Sequence, residues 1–386
     1  MTTLISGARK LDAEGEASDF WMLVDGDTIA ATGQGTPPDA AERIDAAGRW
    51  LVPGFIDLHG HGGGGHGYDN GPDEMRAALA THRAHGTTRS VISLVANPVP
   101  AVQASLQSIA ELAASDPLVL GAHLEGPFLT PSRRGAHNPE FLQNPSAAAA
   151  EQLLEAGDGV IRQITIAPEL PGALDVIDQF VAAGVTVAVG HTEATAAQAS
   201  AAFDRGARLL THAFNAMPGI HHRAPGPVVA AFADDRVVLE LILDGLHVHP
   251  DVASMAFTSA PGRIALVTDA MAAAGAEDGH YRLGSLNVTV RDGLAVLSGT
   301  DTLAGSTVTQ DGALRVALGR VGVEPRAAVE ALTLTPARVL GLEQRFGLLS
   351  PGFAADAVLL DTAWQVQQVW AAGSPVVTQQ NQPAAS

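Results

Sequence analysis

The chain has 386 residues, and its 41 acidic against 22 basic side chains give a formal net charge of −19, which argues against a nucleic-acid-binding surface. Apolar residues make up 46% of the sequence, so a buried core is expected and disorder is excluded over most of the length. The sequence has no cysteine, no membrane-length apolar run and no N-terminal signal core, which predicts a cytoplasmic globular protein without disulfides, thiolate chemistry or a membrane partner.

The first fifty residues predict short strands joined by tight turns, at Thr2–Ser6, Phe20–Val24 and Thr28–Thr32. From Leu51 onward, short apolar runs alternate with helical stretches, a pattern typical of repeated βα units. The predicted strands are Gly54–Leu58, Thr87–Leu94, Val119–His123, Ile161–Ile166, Val185–Val189, Arg208–Leu210, Val237–Leu243 and Ile264–Val267. The helical stretches between them include Asp73–His85, Pro100–Ala114, Pro171–Ala183 and Thr195–Arg205. This alternation predicts an α/β fold with a (β/α)8 TIM-like barrel.

The chain after the eighth predicted strand has a different pattern. A glycine-punctuated, β-like insertion covers Tyr281–Ser298, and helices are expected near Ser306–Leu318 and Pro325–Leu340. Phe346–Leu360 returns to a strand pattern that can pair with the N-terminal strands. We therefore predict a small β-sandwich domain from residues 1–50 and 345–386, beside a barrel domain from residues 51–344.

Residue types that bind metals fall at the carboxyl ends of five predicted barrel strands. His59 and His61 follow the first strand, and because alternate strand residues face the same side, both can enter the barrel mouth. The other strand-end candidates are Glu125, His191, His212 and Asp269. In barrel enzymes such positions converge on the active site. Four imidazoles and two carboxylates there predict a site for one or two divalent ions, which make water acidic enough to attack near neutral pH.

Each of these residues also has an ordinary explanation. Glu125 alone could cap a helix or form an ion pair, and Asp269 alone could form a turn. Their co-location with histidines at five strand ends favours a shared site. The glycine run Gly62–Gly65 lacks the lysine and hydroxyl residue of a phosphate-binding loop and is interpreted as a loop beside the ligands. His82 and His85 lie on a helical pattern and are expected at the surface.

Longer motifs resemble a known family. Pro53–His61 and the segment from Gly347 to Asp356 resemble the amidohydrolase superfamily. Within it, the chain resembles the family of N-acetylglucosamine-6-phosphate deacetylases, on the motifs His123–Phe128, Gly135–Pro139, Gly190–Thr192, Thr211–Met217, Asp244–His247 and Leu303–Ser306. This resemblance implies metal-dependent hydrolysis of the acetamide of N-acetylglucosamine 6-phosphate to glucosamine 6-phosphate and acetate.

The resemblance also implies roles for individual residues. His59, His61, Glu125 and Asp269 would hold one ion, and Glu125, His191 and His212 the other, with zinc expected and iron or manganese as alternatives. Asp269 would be the general base and acid, and His137 would polarise the amide carbonyl. Substrate contacts are implied for Ala136, His137, Asn215, Ala216, Arg223, Asp244, Gly245, Leu246, His247, Leu303, Ala304 and Gly305. Arg223 and His247 would contact the phosphate, across the interface of an implied homodimer. Ala224 stands where the family usually has a glutamate, so the orientation of Arg223 is open.

Two alternatives stay open at this stage. The substrate could be another N-acetylhexosamine 6-phosphate, such as the galactosamine epimer, because no motif describes the pocket that distinguishes epimers. The chain could also be a non-catalytic sugar-phosphate-binding protein on the same scaffold. The intact ligand set and an intact Asp269 argue against that second alternative.

Overall fold

The computed structural model describes residues 2–157 and 159–376, so the last ten residues of the predicted small domain lie outside it. In chain order the strands are β1 Thr2–Asp12, β2 Gly15–Asp25, β3 Thr28–Gln34, β4 Glu42–Asp45, β5 Trp50–Pro53, β6 Phe55–Asp57, β7 Gly62–Gly63, β8 His66–Gly67, β9 Thr87–Val95, β10 Val119–Glu125, β11 Ile161–Ile166, β12 Thr186–Val189, β13 Leu209–Leu210, β14 Val238–Ile242, β15 Ile264–Val267, β16 Gly279–Leu283, β17 Leu286–Arg291, β18 Leu294–Leu297, β19 Ala357–Leu360, β20 Val366–Ala371 and β21 Ser374–Pro375. The α-helices are α1 Pro72–Ala84, α2 Val99–Ser115, α3 Ala147–Gly157, α4 Ala173–Ala182, α5 Ala196–Asp204, α6 Gly226–Ala233, α7 Pro250–Ser259, α8 Gln310–Val316, α9 Pro325–Leu332 and α10 Leu334–Val339.

Eight parallel strands form the barrel, in the order β6-β9-β10-β11-β12-β13-β14-β15. At least one helix follows each strand, so the predicted (β/α)8 architecture is confirmed. The ring closes at the carboxyl ends of its first and last strands, where Gly60 bridges Ala270. There the Asp269 amide donates to the His59 carbonyl at 2.7 Å. Two predicted ligand residues are therefore tied together by the closure of the barrel.

The two ends of the chain build a second, β-rich domain. Its sheet has the order β21-β20-β19-β5-β1-β2-β3, with β4 paired to β1. Strand β19 pairs antiparallel with β5, so the C-terminal segment is hydrogen-bonded to the N-terminal one, as expected. Within the predicted Phe346–Leu360 stretch, only Ala357–Leu360 is a strand, and β20 and β21 were not predicted. The insertion after β15 forms a separate three-stranded sheet from β16, β17 and β18.

Two predictions about helical segments were wrong. The single helix expected over Pro325–Leu340 is divided at Thr333, so Pro336 falls in the first turn of α10, where a missing amide hydrogen costs little. His82, expected at the surface, is 2% exposed. Its Nε2 donates to the Gly62 carbonyl at 2.8 Å and holds the glycine run that follows the first barrel strand.

Within residues 2–157 and 159–376, no helix combines the length and apolar character needed to cross a membrane.

A buried ion pair joins the barrel to the terminal domain. Arg89 on β9 donates from Nε and Nη2 to the two carboxylate oxygens of Asp356, at 2.6 and 3.1 Å. The side chains are 2% and 7% exposed, and Asp356 also accepts from the Ala372 amide at 2.7 Å. Because removing one partner would leave the other charge buried and unpaired, this contact is expected to matter for stability.

We expect Asp356→Asn to lower the free energy of unfolding by about 3 kcal/mol, since it leaves the Arg89 guanidinium buried without a full counter-charge. Urea unfolding measures this difference. The matched control is Asp39→Asn, which removes the exposed partner of Arg43 and should change stability by less than about 0.5 kcal/mol. Equal losses in the two variants would contradict the assignment.

Candidate metal centre

The six residues predicted as ligands meet at the carboxyl end of the barrel, and all are buried. Their ligand atoms form two groups, and within each group the atoms lie within 4.8 Å of one another. The first group is His59, His61 and Asp269, and the second is Glu125, His191 and His212. The structure therefore brings together every residue that was expected to bind metal.

The Glu125 carboxylate lies between the two groups and faces five imidazoles. Its Oε1 is 3.3 Å from His59 Nε2, 3.0 Å from His191 Nε2 and 3.2 Å from His212 Nε2. Its Oε2 is 3.3 Å from His61 Nε2 and 3.2 Å from His137 Nε2. One carboxylate therefore lies within reach of ligand atoms in both groups.

Three of the ligand residues have backbone conformations that are uncommon outside glycine. The φ angles are +48° at His191, +27° at His212 and +46° at Asp269. Such conformations cost about 1–3 kcal/mol each and persist where the surroundings enforce them. Each residue lies two positions after the last residue of its strand, β12, β13 or β15, so the left-handed turn bends the chain at the strand end.

The electrostatics of the cluster favour positive charge. Burial alone would lower the pKa of His59 and His61, but Glu125 and Asp269 outweigh it, raising the pKa of His61 to about 9 and that of His59 well above its usual value. Burial would raise the pKa of Asp269, yet mainly His59 and His61 lower it to about 2. A cluster that stabilises imidazolium in this way also attracts metal cations.

Imidazole nitrogens and carboxylate oxygens in such groups suit zinc, iron and manganese. The residues present therefore fit a divalent metal cofactor. Two neighbouring groups that share Glu125 offer places for two ions, one with His59, His61 and Asp269 and one with His191 and His212.

His137 lies beside the cluster with a defined protonation. Its Nδ1 accepts the Ala96 amide hydrogen at 3.2 Å, so the ring proton is on Nε2, which faces Glu125. Burial lowers the pKa of His137 and outweighs the opposing effect of Glu125. His137 is therefore a neutral imidazole that presents a donor to the centre.

A cavity of about 410 Å³ adjoins the cluster. Seven of the predicted substrate-contacting residues line it: Ala136, His137, Asn215, Ala216, His247, Leu303 and Gly305. The other predicted contacts lie outside its lining: Arg223, Asp244, Gly245, Leu246 and Ala304. Arg223 is exposed, with Nη1 2.6 Å from His222 Nε2, so it does not reach the cavity of its own chain. Ala304 is fully buried.

Asp244 does not line the cavity itself but binds His247, which does. It accepts from His247 Nδ1 at 2.7 Å and from the amides of Leu246 and His247 at 2.8 and 2.9 Å. Burial alone would lower the pKa of His247, but the Asp244 carboxylate outweighs it and raises that pKa. The loop therefore presents to the cavity an imidazole whose cationic form Asp244 favours.

Two arginines that the sequence interpretation did not single out also line the cavity. Arg133 is paired with Glu193 at 2.6 Å. Arg134 donates to the Pro131 carbonyl at 3.2 Å and, within the described residues, has no carboxylate partner. Two adjacent arginines just before the Gly135–Pro139 motif stand out in so acidic a chain, and this was the signal by which the sequence could have indicated them as site residues.

Comparisons with known proteins agree with this geometry. The profile described as "Amidohydrolase family" matches residues 50–382. The chain is 40% identical to the N-acetylgalactosamine-6-phosphate deacetylase of Escherichia coli O157:H7, covering 97% of this chain and 99% of that protein. It is 37% identical to the human N-acetylglucosamine-6-phosphate deacetylase, covering 87% and 86%. A mutant N-acetyl-D-glucosamine-6-phosphate deacetylase from Mycobacterium smegmatis, solved in complex with N-acetyl-D-glucosamine-6-phosphate, superposes with a TM-score of 0.93 at 42% identity, covering 98% of this chain and 100% of that one.

We expect chelation to destabilise the protein and zinc to restore it, because binding to the folded state adds about 2.7 kcal/mol at a free ion concentration one hundred times the Kd. Thermal unfolding with and without chelator measures the effect. Glu125→Gln should reduce the zinc-dependent shift sharply, because both groups lose a shared anionic ligand. His280→Ala, at an exposed histidine outside both groups, is the control and should keep the full shift. A wild-type melting temperature that changes with neither chelator nor zinc would contradict the metal centre.

Proposed function

The chain belongs to the amidohydrolase family, and we propose that it is a metal-dependent deacetylase that converts N-acetylglucosamine 6-phosphate to glucosamine 6-phosphate and acetate. The observation that carries this proposal is the pair of ligand groups joined by Glu125, with His137 and Asp269 facing the same cavity. The relatives described above are deacetylases of amino-sugar phosphates, and the similarity extends over nearly the whole chain.

A divalent ion, when bound, supplies a Lewis acid that makes water more acidic and polarises the amide carbonyl. The chain supplies the proton transfers. Asp269 lines the cavity, and its carboxylate accepts a proton as water attacks the acetyl carbonyl carbon. The same proton then passes to the amide nitrogen as the C–N bond breaks, giving the amine and acetic acid, which loses its proton to solvent or to the amine and leaves as acetate. An unprotonated Asp269 is the form this role needs, and the lowered pKa supports it.

His137 is proposed to stabilise the charge that develops on the carbonyl oxygen. Its neutral ring has the proton on Nε2, the nitrogen that faces the ligand cluster. A fixed donor aimed at that oxygen lowers the barrier because it needs no reorganisation during the reaction. The Ala96 amide fixes this tautomer from the other side of the ring.

The phosphate of the substrate needs cations in a chain with a net charge of −19. His247 supports this role, since Asp244 raises its pKa and so favours its cationic form at the cavity wall. Arg134 is a further candidate, because a guanidinium can bind phosphate with two hydrogen bonds. Arg223 could contribute only from a second copy of the chain, so its proposed role depends on the predicted homodimer.

The galactosamine epimer remains the second candidate substrate, and the 40% identity to the Escherichia coli O157:H7 protein favours testing it. Acetate release from both N-acetylhexosamine 6-phosphates, with metal content determined on the same sample, decides between them. Release that disappears with chelator and returns with zinc supports metal-dependent hydrolysis. Full metal occupancy without acetate release from either sugar would favour a non-catalytic binding protein.

Zinc as the ion, two ions per chain and a cytoplasmic location remain predictions.

We predict that Asp269→Asn lowers the turnover number at least about 10²-fold, because the amide cannot accept the proton. Metal content should stay near the wild-type value, since the side chain keeps a neutral oxygen ligand. Acetate release and metal analysis on the same preparation test this. Asp39→Asn, an exposed carboxylate in the terminal domain, controls for the loss of a charge. Substantial remaining turnover in Asp269→Asn would remove Asp269 from the role of general base.

We predict that Arg134→Ala and Arg223→Ala each raise the KM for N-acetylglucosamine 6-phosphate far more than the KM for unphosphorylated N-acetylglucosamine. The reason is that a phosphate clamp contributes only when the phosphate is present. Steady-state kinetics on both sugars measure the ratio. Arg43→Ala, on the surface of the terminal domain, is the control. A variant that raises both KM values equally would exclude that arginine from the phosphate site.

A further inference from the structure

Strand β14 carries one carboxylate in an otherwise apolar run. Glu240 lies between Leu239 and Leu241 and is 0% exposed. Alternate strand residues share a face, so Glu240 points to the same side as Ile242, which lines the cavity. The carboxylate therefore lies inside the barrel, below the metal centre. This strand was predicted from the sequence, but Glu240 was not among the predicted site residues.

The Glu240 carboxylate contacts both ligand groups. Its Oε2 is 3.2 Å from His59 Nδ1 and accepts the backbone amide of His212 at 3.3 Å. Its Oε1 accepts from Gln163 Nε2 at 2.9 Å. The contact with His59 involves the ring, whereas the contact with His212 involves only the backbone. Glu240 can therefore fix the orientation and the tautomer of the His59 imidazole but not those of the His212 ring.

The four ligand histidines differ in what their Nδ1 atoms contact. His191 Nδ1 donates to the Arg133 carbonyl at 2.8 Å. In the part of the chain that the structure describes, the Nδ1 atoms of His61 and His212 have no hydrogen-bond partner. His59 alone among them has a carboxylate there. A carboxylate on Nδ1 holds the proton on that atom, so the lone pair of Nε2 faces the cluster, and it makes that lone pair more basic.

A charge argument points the same way. A fully buried carboxylate is costly unless a positive charge compensates it. Over residues 2–157 and 159–376, the ionisable partner of Glu240 within ion-pair distance is His59. An imidazole that binds metal is neutral and cannot supply that charge. A cation at Nε2 of the same ring can, acting through the imidazole.

We propose that Glu240 is a positioning residue that fixes His59 for the ion held with His61 and Asp269, and that it raises the affinity of this group more than that of Glu125, His191 and His212. The proposal rests on the metal-dependent function proposed above, but it concerns how the ion is held and not the substrate. Loss of such a partner typically weakens metal binding about 10- to 100-fold.

The test measures zinc affinity directly, by titration against a competing chelator, in two backgrounds. His191→Ala removes a ligand of the second group and leaves His59, His61 and Asp269 intact. His61→Ala removes a ligand of the first group and leaves Glu125, His191 and His212 intact. Glu240→Leu should weaken zinc binding at least about 10-fold in the His191→Ala background. In the His61→Ala background the same substitution should change zinc binding less than about threefold, because there Glu240 meets only a backbone amide of the remaining group.

Thr165→Val is the matched control. Thr165 is fully buried, and its hydroxyl contacts His123 Nε2 and Thr211 Oγ1, neither of which is a ligand. This isosteric change disturbs a buried polar group of the barrel interior without touching His59. It should leave zinc affinity unchanged in both backgrounds. An equal loss of zinc affinity in Thr165→Val and Glu240→Leu would overturn the proposal. So would a Glu240→Leu substitution that lowers zinc affinity equally in both backgrounds.

Glu240→Gln keeps the test decisive if the leucine variant does not fold. The glutamine keeps the shape and one acceptor, and Gln163 can turn its unpartnered Oε1 toward the new amide. The charge alone is lost, so zinc affinity in the His191→Ala background should still fall about 10-fold. Unchanged affinity in a folded Glu240→Gln protein would overturn the proposal. Since acetate release is not the readout, a wrong substrate assignment would leave these results interpretable.

Discussion

The contact between one carboxylate and five imidazoles is the interaction on which the rest of the structure depends. Glu125 lies within 3.3 Å of the Nε2 atoms of His59, His61, His137, His191 and His212. Four of these histidines follow the barrel strands β6, β12 and β13, and His137 lies in the loop after β10, so the closed ring of β-strands is what places them together. So many ionisable groups in a buried site are stable only if the charges balance, and a divalent metal is the simplest way to balance them.

The barrel meets this requirement through its closure and through polar layers below the centre. Asp57, at the end of β6, accepts from the hydroxyl and amide of Thr268 at 2.6 and 3.2 Å and thereby joins the first strand to the segment that carries Asp269. Below, His123 is held between Ser93 Oγ at 2.9 Å and Thr165 Oγ1 at 2.8 Å. Burial keeps the pKa of His123 well below its usual value. This imidazole is therefore a neutral support and adds no positive charge beside His59.

Strand periodicity and strand-end chemistry were sufficient to predict the barrel and the six ligand-type residues, because both depend on local pattern. Other features depend on tertiary contacts that no local pattern encodes. Arg223 follows a loop whose direction the sequence does not determine, and His82 is buried only because the glycine run folds back over α1. Glu240 interrupts an apolar strand, which alone does not reveal that His59, 181 residues earlier, lies against it. The left-handed conformations at His191, His212 and Asp269 could not be predicted from the sequence either, since histidine and aspartate, although enriched among non-glycine residues with positive φ, adopt such conformations at only a small fraction of their positions.

The same cavity must attract a cation and an anion, and the structure separates these tasks by what stands behind each wall. Around the metal centre the Nε2 atoms of the histidines face the Glu125 carboxylate, so the negative charge lies close to them and favours a bound cation. At the other wall, two cationic groups are paired with carboxylates that lie outside the cavity lining, His247 with Asp244 and Arg133 with Glu193. Such an arrangement favours the charged form of each group, while both groups still line the cavity. A substrate with an uncharged amide and a charged phosphate can satisfy both walls only in one direction, so charge placement orients the amide toward Asp269 and His137 before any epimer-specific contact is made.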